Sequence, residues 1–117
     1  METTHGKLAA ELFLKGYNCS QSVVVAFCDV TGMTPRHAAM ISSSFGGGMG
    51  RMREVCGAVS GMLLVAGFLY GYDTPGDDES KRKHYQLVQT LAGKFREQEH
   101  SIICREILKN PPSDPNP

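Results

Sequence analysis

Apolar positions along this chain recur at helical spacing, and capping residues and glycines cut them into segments. Thr3 or Thr4 can cap a first helix running to about Lys15, with Leu8, Leu12 and Phe13 expected to face inward. Gly16 suits the position just past its end, where the chain turns left-handed. Asn18 is a strong N-cap for a second helix, Cys19 to about Thr31, which Gly32 ends. Thr34-Pro35 places a cap ahead of a proline at the first helical position and opens a short third helix to about Ser43. A fourth, strongly apolar helix is expected from about Met52 or Val55 to Tyr70. Asp77 or Asp78 caps a fifth, in which Val88, Leu91, Ala92 and Phe95 form an i, i+3, i+4, i+7 stripe. Ser101 is placed to cap a last short helix to about Leu108.

Sustained period-two alternation is missing, and the valines at 23, 24 and 25 are the one feature that favours a strand. The pattern predicts an all-α fold, a compact bundle of about five to six helices around a Gly-rich apolar central helix. Residues 1–110 are expected to form one helical domain. The tail 111–117 holds four prolines in seven residues and is expected to be disordered.

Composition narrows the function. At 117 residues the chain has room for one core. Twelve basic residues balance twelve acidic ones, so there is no net field to attract nucleic acid or an anionic membrane surface. Val55 to Tyr72 is 18 residues without a charge, just the length of a membrane span, but it carries Gly57, Gly61, Gly67 and Gly71. It reads as the central helix of a soluble bundle. Met1 to Gly16 carries charges throughout and has no apolar signal region, so the expected location is the cytoplasm. In that reducing compartment four cysteines point to redox or metal chemistry before structural crosslinks, with small buried hydrophobes as the bland alternative.

The cysteines are not equivalent. Cys19 follows its cap directly, Cys104 lies three residues after Ser101, and Cys56 sits near the start of the central helix. At a helix start the unpaired amides and the macrodipole favour negative charge and lower a thiol's pKa. Cys28 lies nine residues after Cys19, about half a turn round the helix, and in its last turn, where the dipole opposes a thiolate. It is expected to be ordinary core. Ser60 falls one turn after Cys56, on the same face, where its hydroxyl could donate to the thiolate. Gly57 and Gly61 form a small-residue ridge that would let another helix start, with its own cysteine, approach Cys56.

The glycine loop Gly46-Gly47-Gly48-Met49-Gly50 leads toward this helix with Arg51 and Arg53 at its mouth. It lacks the ending of a P-loop and the spacing of a dinucleotide fingerprint, so a pocket that admits a small anionic substrate, or holds a thiolate, is the better expectation than a nucleotide site. His5, His37, His84 and His100 are scattered and read as surface residues, and no CxxC pair is present.

The order Tyr17-Asn18-Cys19-Ser20-Gln21, Phe45-Gly46-Gly47-Gly48-Met49-Gly50-Arg51, Cys56-Gly57-Ala58-Val59-Ser60-Gly61 and Cys104-Arg105-Glu106-Ile107-Leu108 resembles the C_GCAxxG_C_C family, small proteins assigned to redox chemistry and named for their cysteine pattern. The resemblance runs from about Tyr17 to Leu108 and implies an all-helical domain with redox or metal-linked cysteines at Cys19, Cys56 and Cys104. The family pattern has a further cysteine after the one matching Cys104; this chain has none, which counts against a four-cysteine cluster unless Cys28 takes its place in space.

Three functions compete. In the first, a thiol redox protein uses Cys56 as the attacking thiolate and Cys104 or Cys19 as the resolving partner, cycles through a reversible disulfide and needs no cofactor, serving a redox partner or a small-molecule substrate. In the second, the same cysteines, with Cys28 doubtful, bind zinc or an iron–sulfur cluster. In the third, a helical interaction protein uses its cysteines as packing. A homodimer fits the apolar central helix and the small size.

Overall fold

The computed structural model describes residues 4–116. Thr3, one of the two expected first caps, and the last proline of the tail lie outside them. The helices are α1 (Thr4–Leu14), α2 (Cys19–Ala26), α3 (Cys28–Thr31), α4 (Pro35–Ser42), α5 (Gly57–Tyr70), α6 (Asp78–Glu99) and α7 (Cys104–Ile107). A 3₁₀ turn, Ser43–Phe45, and a tight turn that opens at Gly46–Met49 lie between α4 and α5. The fold is all-α, with one isolated antiparallel bridge between Val55 and Ile103 among the described residues.

Local chemistry accounts for most boundaries. Asn18 and Gln21 form a reciprocal capping box: Asn18 Oδ1 accepts from the Gln21 amide at 2.8 Å, and Gln21 Oε1 accepts from the Asn18 amide at 3.1 Å. Thr34 Oγ1 accepts from the His37 amide ahead of Pro35. Asp77 accepts from the Ser80 amide and caps α6. Gly32 closes α3 at φ +77°. The helix expected from Cys19 to about Thr31 breaks at Phe27 (φ −98°, ψ 12°), whose ring stacks on His5 of α1 at 4.3 Å. Cys28 therefore opens a separate one-turn helix instead of lying in the last turn of a long one.

The core is built from small side chains. Val24, Ala38 and Val65 meet at its centre, and Ala26, Val59 and Ala66 are also buried. Burying a valine contributes about 1.5–3 kcal/mol, so this core holds by close approach of backbones as much as by area. A Cβ at Gly61 would stand 2.9 Å from the Ser20 carbonyl, which shows how tightly α5 lies on α2.

Two expectations of burial need correction. Leu8 and Phe13 of α1 were expected to face inward and are exposed; α1 packs mainly on α2, which leaves these side chains uncovered. The stripe Val88, Leu91, Ala92 and Phe95 of α6 faces α5 but stays half-buried. Among the described residues no helix is long and apolar enough to cross a membrane.

Candidate functional site

The three cysteines expected at helix starts stand at helix starts. Cys19 is the first residue of α2, Cys56 is the N-cap of α5, and Cys104 is the first residue of α7. The last placement differs in register from expectation. Ser101 does not cap α7; its Oγ accepts from the Ile103 amide and donates to Glu106 Oε1 at 2.7 Å, folding the turn that precedes the helix. The Cys104 amide is instead bound by the Glu54 carbonyl at 2.6 Å.

That bond belongs to a two-residue ladder on which the site depends. The Cys56 amide donates to the Ile102 carbonyl at 2.7 Å, the Cys104 amide to Glu54, and the Arg105 amide to the Arg53 carbonyl at 3.1 Å. Arg105 adds bonds to the Arg53 carbonyl at 3.2 Å and to Glu54 Oε1 at 3.1 Å. Segment 53–56 and segment 102–105 are thereby paired, and Cys56 and Cys104 are brought together. Pairing this short leaves no alternation in the sequence, which is why sequence reasoning missed it.

The glycine loop prepares the approach. Gly47, Gly48, Met49, Gly50 and Arg51 all take positive φ, between 59° and 72°, and so form one left-handed turn. The amides of Arg51, Arg53 and Glu54 reach back to the carbonyls of Gly46, Gly47 and Gly48, and that of Met52 to Met49. These four donors are spent inside the turn and are not offered to an anion. At Gly48 a Cβ would lie 2.8 Å from Cys104 Cβ and 2.8 Å from the Glu54 nitrogen. Gly48 therefore admits both α7 and the returning chain. Gly57 does the same for α2: a Cβ there would overlap Cys19 Sγ. The ridge of Gly57 and Gly61 thus receives the start of α2, with its cysteine, beside Cys56.

Cys19, Cys56 and Cys104 line one cavity of about 590 Å³ with Phe13, Asn18, Gly46, Gly47, Gly57, Arg51, Arg53, Ile107 and Leu108. Cys28 is not among its lining residues; it is half-buried against the Val24, Ala38 and Val65 cluster. Burial raises the Cys28 thiol, and the neighbouring Asp29 carboxylate raises it further. All four cysteines are free thiols.

The electrostatics depart from expectation at Cys56. A lowered thiol was expected there. Burial pushes it up, the amides of Ala58 and Val59 pull it down without prevailing, and the charges of Cys19 and Cys104 push it up further. Those last causes also mean that the three thiols are near enough to sense one another. Ser60 supplies its amide to the Cys56 carbonyl at 3.0 Å, and the α5 amides rather than its hydroxyl address the thiol. Cys104 has a partner that Cys56 lacks: Arg53 Nη1 donates to its Sγ at 3.7 Å. Arg53 Nε is bound by the Pro112 carbonyl at 2.9 Å and Arg51 Nε by the Asp114 carbonyl at 3.0 Å, so the tail braces both guanidiniums at the cavity.

Cys28 faces the core on another side, and among the described residues no group of three or more His, Cys, Asp or Glu is placed to hold an ion. A structural zinc or iron–sulfur site asks for about four converging ligands, and a catalytic zinc for about three with water in the fourth position.

The family model described as "Putative redox-active protein (C_GCAxxG_C_C)" matches residues 17–116, which span the capped start of α2, the left-handed turn, the bridge and α7. The chain belongs to this C_GCAxxG_C_C family. No curated protein and no solved structure matches it.

Proposed function

We propose that the protein is a thiol–disulfide redox protein in which Cys104 and Cys56 cycle through a disulfide, with Cys19 as the neighbouring third thiol. The observation that carries this reading is the single cavity lined by three free thiols from three helix starts, with a guanidinium on one of them. Arg53 places a donor on the Cys104 sulfur, and thiol–disulfide exchange proceeds by attack of a thiolate. Attack on a disulfide RSSR′ forms a Cys104–R mixed disulfide and releases R′S⁻. Cys104 then no longer carries charge, so one of the causes that hold Cys56 protonated disappears. Cys56 gives its proton to solvent and attacks the Cys104 sulfur. The Cys56–Cys104 disulfide forms and RS⁻ leaves. Two electrons pass from the protein dithiol to the substrate.

Peptide mapping after mild diamide oxidation tests this, with one intramolecular disulfide between Cys56 and Cys104 and a free Cys28 expected. In Cys56→Ser the mixed disulfide should accumulate on Cys104. Three cavity thiols inert in the folded protein would return the cysteines to a packing role.

A further inference from the structure

We infer that the thiol cavity takes a small disulfide with an apolar body and an acid group, and that Arg51 anchors the acid group. The inference rests on the redox reading above and names the substrate class for that site. Three observations carry it. The cavity, at about 590 Å³, has the size of a small-molecule site. Its walls include Phe13, Ile107 and Leu108, which offer an apolar body a surface out of water. Two cations line it, and among the described residues neither forms an ion pair with a carboxylate; the salt bridges there are His5–Asp29, Lys83–Glu79 and Arg105–Glu54.

Arg53 directs a nitrogen at the Cys104 sulfur, so a protein thiolate can balance its charge. Among the described residues Arg51 has a neutral partner alone, the Asp114 carbonyl on Nε. That bond fixes the guanidinium plane through one edge and leaves the terminal nitrogens, the edge that grips a carboxylate in a bidentate pair. A guanidinium braced beside a set of thiols, with no anionic partner among the described residues, selects substrates that bring their own anion. It also offsets the repulsion that a Cys104 thiolate would exert on an acidic disulfide.

The test compares two disulfides on the full-length reduced protein by stopped-flow absorbance. One is 5,5′-dithiobis(2-nitrobenzoate), which carries carboxylates; the other is the neutral 2,2′-dithiodipyridine. Each rate is divided by that of an unstructured cysteine peptide. The anionic reagent should be favoured by about tenfold in this ratio, the worth of one charge-assisted pair, and rising salt should erode the preference. Arg51→Gln should lower the ratio by about tenfold. Arg36→Gln, at an exposed side chain of α4, is the control that leaves it in place. If Arg51→Gln does not fold, the salt titration of the unmodified protein decides alone. Equal normalised rates for the two reagents, independent of salt, would overturn the inference while the redox reading stands. Cavity thiols that react with neither reagent would overturn both.

Discussion

Gly57 lies so close to Cys19 that its missing Cβ is the space the Cys19 sulfur occupies. The pair joins the start of α5 to the start of α2, and any side chain at 57 must push one of them aside. The Phe45 carbonyl, 2.8 Å from where that Cβ would be, closes the other escape.

Gly57→Ala should therefore destabilise the fold by about 1–3 kcal/mol, the usual cost of overpacking a tight contact. It should also change the reaction rate of Cys19 with thiol reagents more than that of Cys28. Urea unfolding gives the first quantity and peptide-resolved alkylation the second. A variant as stable as the parent would show that the α2–α5 contact is looser than described.

Gly48→Ala carries two penalties at one site. The position needs φ +72°, and the new Cβ would strike Cys104 Cβ and the Glu54 nitrogen. A loss of about 2–4 kcal/mol is expected, from left-handed strain plus overpacking. Because the displaced groups belong to the ladder that brings Cys104 to Cys56, diamide should form the intramolecular disulfide more slowly even in the fraction that remains folded.

The raised Cys56 thiol predicts a pH dependence of stability. Below the pKa of an unfolded cysteine the thiol is protonated in both states and folding gains nothing by it. Above that value the unfolded chain releases its proton while the folded chain still holds it, so stability falls as pH rises toward the folded pKa. The urea midpoint should drop between about pH 8 and pH 10, and Cys56→Ser should remove part of the drop. An identical decline in the variant would place its source elsewhere.

Asn18 has two jobs. Its Oδ1 caps α2, and its Nδ2 donates to the Ser43 carbonyl at 3.1 Å, tying the start of α2 to the turn after α4. Asn18→Ala should cost about 1 kcal/mol or somewhat more, since it deletes a cap and a tertiary bond together. Asn18→Ser, which can keep the cap alone, should recover only part, as thermal melting would show.

The parts of the site that follow helical rules were readable in the sequence. The cap at Asn18, the proline after Thr34, the apolar run around Cys56 and the family motifs set three cysteines at helix starts. What escaped was non-local or ambiguous in sign. Glycines 47, 48 and 50 permit either hand of turn, and only their φ of 59° to 72°, with the returning bonds from Arg51, Arg53 and Glu54, shows that the left hand is used. The bridge at Val55 and Ile103 is too short to print a strand pattern. The charge state of Cys56 was misread because a helix start was weighed without the burial that accompanies it. Arg53 was seen as part of a loop mouth, and its bond to a sulfur about 50 residues downstream has no local signature.

The Val55–Ile103 bridge also orders events in time. Closing a loop of about 50 residues costs more chain entropy than winding a one-turn helix, so Cys104 joins the other two cavity cysteines through a non-local contact. During synthesis Cys19, Cys28 and Cys56 emerge from the ribosome before Cys104 does. Until α7 arrives, Arg53 has no sulfur to polarise, and the nascent chain carries cysteines without a finished reaction centre. Cys56 and Cys104 thus share a cavity only after the last helix of the chain has docked.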